Sequence, residues 1–225
     1  MLQVIVYSLP LALIVWFSPT RIMAATLMLF SSRARSVAGA YAVGWVGGIT
    51  LCVAAFTVGA SLATAMLSST TSVNSGALLS LLVGLAMIAL SGMAWRARPR
   101  PGVERHPDRL DRMIDRLTPL SALGLGLAVS IVSPTHLLAI ASFGAAIAGS
   151  NMSVADQIAV AVIFIVLCTS SITIPVGVAI IDPERSEAPL RRLHAWLSEH
   201  GQTVLVILFL IIGVLFLGKA IAALR

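Results

Sequence analysis

The chain has 225 residues, of which 58% are apolar and 11% are charged, and its net charge is +6. Soluble domains carry charges on roughly a quarter of their residues, so this composition excludes an ordinary soluble domain and indicates a polytopic α-helical membrane protein. The positive charge does not indicate a nucleic-acid partner. Of the 15 basic residues 14 are arginines, and most lie in predicted loops, where the anionic inner surface of a membrane attracts them.

Six apolar segments follow one another along the chain, and each predicts a transmembrane helix. They are the ranges 2–30, 37–67, 76–95, 118–149, 154–181 and 202–224. The first and the fourth each contain a Ser-Pro-Thr motif. Proline removes a backbone donor and disfavours helix at the residue before it. We therefore predict that each of these two segments consists of two helical pieces with an irregular joint between them.

The Ser-Pro-Thr motif occurs in two copies that stand 115 positions apart. The copies are Ser18-Pro19-Thr20-Arg21 and Ser133-Pro134-Thr135-His136. Matching proline breaks in the two halves of a membrane protein indicate a transporter that is built from a repeat. Three spans per half invert the second half relative to the first. The predicted fold is therefore all-α, with six transmembrane helices in two inverted three-helix repeats and with proline-broken helices one and four.

The predicted domains are a first repeat over residues 1–95, an arginine-rich cytoplasmic linker over 96–117 and a second repeat over 118–225. The linker contains seven arginines, and its second half predicts an amphipathic helix on the membrane surface. A further amphipathic helix is predicted over 188–199. Arginine-bearing loops follow the first, third and fifth segments, so they face one side, and the positive-inside rule puts both termini on the other, outer side.

Ionisable residues at membrane depth carry the functional prediction. All nine acids fall in loops or at helix ends, which disfavours a carboxylate proton relay and a site for cations. Arg21 and His136 lie inside the broken segments, at the same repeat position. There each side chain lies next to the N-terminus of a half-helix, which carries a positive partial charge and N–H groups that the helix itself does not use. We predict that both motifs line one anion-binding substrate site. Their hydroxyl groups add further donors, from Ser18, Thr20, Ser133 and Thr135.

Each of these residues also has a structural interpretation. Hydroxyls beside a membrane proline often only satisfy freed backbone groups. Arg21 can extend to the cytoplasmic interface, and His136 can be a neutral core residue. The duplication of the motif favours the substrate path. In that case, His136 is a group that titrates near neutral pH and links transport to protons.

Other chemistry is not indicated by the sequence. Cys52 and Cys168 lie in apolar segments, and we interpret them as small buried residues rather than as a redox pair. Phosphate-binding loops, dinucleotide-binding loops, zinc-protease motifs and nucleophile elbows are absent from the sequence. We expect no enzyme, no catalytic residues, no cofactor and no metal.

The chain resembles the lysine exporter (LysE) superfamily and, within it, the GAP branch, also called the Sap or sulfolipid-1-addressing family. The resemblance is carried by Phe17 to Ile22, Arg33, Arg35, Gly44-Trp45, Asp115 to Pro119, Gly126, Ser133-Pro134, Trp196-Leu197 and Gly213. That family is implicated in moving glycolipids toward the surface of actinobacterial cell envelopes. The resemblance therefore implies a bacterial plasma-membrane exporter of an amphiphilic, anionic envelope lipid or lipid precursor. The expected partners are the lipid substrate and the plasma membrane, and further a second copy of the chain in a homodimer or a lipid-synthesis or export complex.

Three departures from related sequences refine this expectation. The second motif of the GAP branch tends to read Asn-Pro-Lys-Asn, which Ser133 to His136 replace here. The Pro-Gly-Pro motif of amino-acid exporters is missing, which disfavours a free amino acid. Electron carriers of the superfamily place a cysteine beside each motif proline, where this chain has Ser18 and Ser133. Export of a small hydrophilic solute and a non-transporting scaffold for a lipid-synthesis or export complex remain alternatives.

Overall fold

A computed structural model describes residues 2–29, 34–67, 75–96 and 117–223. These residues form eight α-helices and no strand. The helices are α1 (Leu2–Trp16), α2 (Pro19–Leu29), α3 (Ala34–Leu67), α4 (Ser75–Arg96), α5 (Pro119–Val132), α6 (Pro134–Ala148), α7 (Val154–Ile181) and α8 (Pro183–Ala223). Residues 97–116, with most of the predicted linker and its amphipathic helix, lie outside the described residues.

Both long segments that carry the Ser-Pro-Thr motif are broken at the motif, as predicted. The axes of α1 and α2 differ by 54°, and those of α5 and α6 differ by 67°. Pro19 and Pro134 each begin the second helix of their pair. Proline suits this first position because its fixed φ fits a helix and its missing N–H is not needed there. The sequence prediction of two broken segments is therefore confirmed.

The last segment differs from its prediction. α8 begins at Pro183 and runs for 41 residues without a break, so the prediction of a separate surface helix over 188–199 is wrong. The predicted apolar face of this stretch consists of Leu190, Leu193, Trp196 and Leu197; Leu190 and Leu197 are buried, whereas Trp196 is 46% exposed. Leu197 packs against Phe17 and Ile22 of the other half of the chain. This stretch of α8 therefore packs on protein.

Three described helices, α3, α7 and α8, are long and apolar enough to cross a membrane, and counting each bent pair as one span gives five. In α4 the apolar stretch that the structure describes, Leu81–Arg96, is shorter than this measure of a span requires. The chain is thus an all-helical membrane protein. The number of six spans stays a prediction.

Helices α3 and α5 approach each other closely through small residues. A Cβ on Gly44 would meet the carbonyl oxygen of Leu123, and a Cβ on Gly126 would meet that of Tyr41. One turn further along both helices, Gly48 faces Ser130. The contacts advance together along both helices, so the helices run parallel. Small residues on the facing sides of two helices allow such a close approach.

Helices α4 and α8 are antiparallel. The hydroxyl of Ser91 donates to the carbonyl oxygen of Val206 over 3.0 Å, and the amide of Gln202 donates to that of Ala94 over 3.1 Å. From one contact to the next, the residue number rises from 91 to 94 along α4 and falls from 206 to 202 along α8. Ser91 and Val206 stand 115 positions apart, which is the same offset as the two Ser-Pro-Thr motifs.

Corresponding helices of the two halves pack on the opposite half of the chain. Each half has two short helices followed by two long ones. α3 packs on α5 and α6 of the other half, while α7 packs on α1 and α2. The main apolar core lies where these helices meet. It includes Trp45 of α3 and the stacked rings of Phe143 and Phe164, whose centroids are 3.9 Å apart.

Candidate functional site

The second joint presents the N-terminus of α6 to the bundle interior. Ser133 is the extended N-cap residue, with φ −80° and ψ 114°, and its hydroxyl lies 3.0 Å from that of Thr135. The first N–H group in the helical ladder is that of Leu137, which donates to the carbonyl of Ser133 over 3.0 Å. The N–H groups of Thr135 and His136 precede it, so helix geometry leaves them outside the helix's own hydrogen bonds.

The first joint presents Arg21 to the second. Nη1 of Arg21 lies 2.6 Å from Nδ1 of His136 and also contacts Nε2 of the same ring. A guanidinium only donates hydrogen bonds, so the imidazole nitrogen that faces Arg21 accepts and carries no proton. The half-buried arginine thus joins the two copies of the motif at equivalent positions. Its guanidinium lies against the buried ring of His136, which is 1% exposed.

Trp45 of α3 closes the site on a third side. The guanidinium carbon of Arg21 lies 5.0 Å from the centroid of the Trp45 ring, a distance at which cation and aromatic face attract. The Trp45 ring also meets that of His136 edge to face, with centroids 5.6 Å apart. Trp45 is fully buried, and its Nε1 has no hydrogen-bond acceptor among the described residues.

Trp45 is the site residue that the sequence analysis did not identify as such. It belongs to the stretch that carries the family resemblance, but no site was assigned to it. The available signal was its position next to Gly44 and four residues after Tyr41. That spacing puts two large aromatic residues on the closely packed face of one helix, and both are buried.

The site is cationic. Among the described residues the ion pairs join Arg185 to Asp182, Arg191 to Glu187 and His200 to Glu199, and none includes Arg21. A buried charge without a counter-ion is costly, so an anion at this site would be stabilised. The described residues contain no group of three or more histidine, cysteine or acidic side chains that could hold a metal.

The remaining residues of the motifs differ in their surroundings. The carbonyl of Ser18 accepts hydrogen bonds from the N–H groups of Arg21 and Ile22, both over 3.1 Å. Pro19 is buried against α8, where a Cβ on Gly201 would lie 2.7 Å from that of Pro19. Pro134 is exposed, and Thr20 is described only as part of the backbone of α2.

The two cysteines are Cys52 of α3 and Cys168 of α7, and both are buried and free. Their predicted burial is confirmed.

The comparisons with known proteins agree with the resemblance that the motifs carry. A family model described as Sap, sulfolipid-1-addressing protein, matches residues 9–222. Comparisons with curated proteins and with solved structures give no match. The matched range contains both joints and Trp45, and it leaves out only the first eight and last three residues. The chain belongs to the Sap, sulfolipid-1-addressing protein, family.

Proposed function

We propose that this protein translocates an amphiphilic, anionic envelope lipid or lipid precursor outward across the bacterial plasma membrane, and that the Arg21 site holds the headgroup. The family description supports a lipid-related role. The observation that carries the proposal is the guanidinium of Arg21. It lies inside the helix bundle without a carboxylate partner among the described residues and contacts only neutral or aromatic groups that the structure describes.

The donors around Arg21 suit a sulfate, phosphate or carboxylate group. A guanidinium binds such groups through two parallel hydrogen bonds. The N-terminus of α6 adds the N–H groups of Thr135 and His136. The Nε1 of Trp45 is a donor that lacks a partner within the described structure. An anion that enters the site would replace His136 as the partner of Arg21.

This replacement couples anion binding to proton binding. A protonated His136 can no longer accept a hydrogen bond from Arg21, but it can donate one to an anion. The anion and the proton therefore each favour the arrival of the other. Whether the anion is exported together with a proton or in exchange for one depends on the side of the membrane on which His136 releases the proton.

Two contacts support the proposal that the halves form inverted repeats. Arg21 contacts His136, and Ser91 contacts Val206, and in each pair the residues are 115 positions apart. Equivalent residues of two repeats touch only on the two-fold axis that relates the repeats. Because α4 and α8 are antiparallel at Ser91, this axis is perpendicular to them. If both helices cross the membrane, the axis lies in its plane, as alternating access by inverted repeats requires. Six spans with both termini outside, in the manner of the LysE superfamily, fit this arrangement.

The proposal is tested by the distribution of envelope lipids in a strain that lacks the protein. Surface-exposed and cell-bound lipids are compared after complementation with wild type, Arg21→Ala, His136→Ala or the control Arg185→Gln. Arg185 is 91% exposed and lies at the start of α8. We expect the deletion and the Arg21→Ala strain to retain the lipid in the cell, whereas the control restores its surface level.

Two outcomes would contradict the proposal. Normal surface lipids in the deletion strain would exclude lipid export by this protein. Full complementation by well-expressed Arg21→Ala and His136→Ala variants would exclude the site and favour the scaffold alternative, in which these buried side chains have no direct role.

A further inference from the structure

A cavity lies at the end of the bundle that carries Arg35 and the N-terminus of α8. Its volume is about 290 Å³. It is formed where four helices meet, because α2 ends at Leu29, α3 begins at Ala34, α7 ends at Ile181 and α8 begins at Pro183. Leu29 follows Arg21 by eight positions, which correspond to about 12 Å along α2 at the helical rise of 1.5 Å per residue. The cavity is thus separate from the Arg21 site.

Two arginines and one glutamate line this cavity. The side chain of Arg191 donates from Nε to the carboxylate of Glu187 over 3.0 Å, and its Nη2 lies 2.9 Å from the same oxygen. Arg35 takes part in none of the ion pairs between described residues. The charges of Arg191 and Glu187 cancel, so the cavity retains one positive charge, that of Arg35.

Apolar side chains and one serine form the rest of the wall. The serine is Ser186, whose hydroxyl donates to the carbonyl of Pro183 over 3.1 Å. Leu29, Ile180 and Leu190 line the cavity together with the charged residues, and Leu190 is buried. A cavity that combines one net positive charge with an apolar wall at the end of membrane helices matches a singly charged headgroup and the first carbons attached to it. Basic pockets between helices on the cytoplasmic side of membrane proteins commonly hold such headgroups.

We propose that this cavity is a second anion-binding site, which takes a singly charged phosphate or sulfate ester with Arg35 as its main ligand. The apolar wall favours a lipid headgroup as the source of this ester. The site does not depend on transport, since it involves neither Arg21 nor His136. An anionic lipid bound there would occupy the interface next to the end of α2.

The experiment uses the full-length protein in nanodiscs of phosphatidylcholine that contain an increasing share of phosphatidylglycerol, whose headgroup is a singly charged phosphate ester. Retained phosphatidylglycerol is counted by native mass spectrometry after release from the disc. Wild type is compared with Arg35→Gln and with Arg185→Gln, which removes a nearby arginine that does not line the cavity. One arginine at a membrane surface contributes enough to change the affinity about fivefold.

The expected result is that Arg35→Gln needs about fivefold more phosphatidylglycerol for the same occupancy, whereas Arg185→Gln behaves as wild type. A second variant, Ala179→Leu, fills the cavity from α7 without changing any charge and should lower retention as well. Competition by sodium phosphate would support the same site with a free anion as an additional ligand, and its absence would support a lipid headgroup alone. Equal losses in Arg35→Gln and Arg185→Gln, or unchanged retention in both Arg35→Gln and Ala179→Leu, would overturn the proposal.

Discussion

The two proline joints have the same first three residues and different surroundings. In the first joint, Pro19 is buried against Gly201, and the motif ends in an arginine whose charge is permanent. In the second joint, Pro134 is exposed, and the motif ends in a histidine that can gain or lose a proton. The shared residues therefore specify the break in the helix, while the fourth residue and the packing determine what each joint does. The first joint supplies a permanent cation, Arg21, and the second supplies His136, a hydrogen-bond partner whose protonation state can change.

Replacement of Arg21 should have the largest effect. Arg21→Gln removes the fixed charge of the first joint, and loss of a desolvated charge partner costs about 2 kcal/mol or more, which is roughly 30-fold in affinity. Binding of a sulfated or phosphorylated lipid analogue to the purified protein measures this loss. Arg21→Lys is the matched control, and it should recover only part of the affinity because an ammonium lacks the planar fork of a guanidinium. Equal binding by Arg21→Gln and wild type would mean that the fixed charge of the first joint does not contribute to anion binding.

Packing of the first joint should show the next largest effect. In Gly201→Ala the new Cβ would approach Pro19 to 2.7 Å, and overpacking of this kind costs about 1–3 kcal/mol. Thermal unfolding in detergent should show a lower Tm. Gly177→Ala on α7 is the control, since a Cβ there meets nothing within 4 Å. If both variants unfold at the same temperature, the first joint is not held by its proline contact.

The His136→Gln variant tests whether protonation of His136 matters at the second joint. Glutamine can still accept a hydrogen bond from Arg21 but does not titrate in the neutral range. Wild-type affinity for the anionic lipid analogue should rise as the pH falls from 8 to 5.5, because the bound anion favours the protonated histidine, which releases Arg21 and adds a donor. The glutamine variant should show a flat profile over this range. A parallel rise in both proteins would assign the pH dependence to another group.

The smallest effect is expected for Pro134→Ala. Pro134 is exposed and alanine tolerates the start of a helix, so the cost should stay below about 1 kcal/mol. Pro19→Ala should cost more, since it also removes buried contact with α8. Comparison of the two Tm values measures the difference between the joints directly. A larger loss for Pro134→Ala would reverse the assignment of the more tightly packed joint.

Features that depend on neighbouring residues or on the repeated motif were predictable from the sequence. The breaks at Pro19 and Pro134 follow from proline chemistry, and the offset of 115 positions anticipated the meeting of Arg21 with His136. Distant contacts that no repeat indicates were not predictable. An example is the contact of Leu197 of α8 with Phe17 and Ile22, which no local pattern encodes.

Two further features of the site illustrate the same limit. Trp45 enters the site because the glycines of α3 allow α5 to approach, which fixes the face of α3 that meets the second joint. The Arg35 cavity is formed by the ends of four helices that are far apart in sequence. Neither arrangement is visible in any single stretch of the chain.

The length of α8 has a mechanical consequence. A helix of 41 residues is about 60 Å long, whereas the hydrocarbon core of a bilayer is about 30 Å thick. About half of the length of α8 therefore extends beyond the lipid core. Near its middle this helix touches the first joint at Pro19, and towards its N-terminus it carries Glu187 and Arg191 of the Arg35 cavity. One continuous helix therefore connects the first joint with the Arg35 cavity.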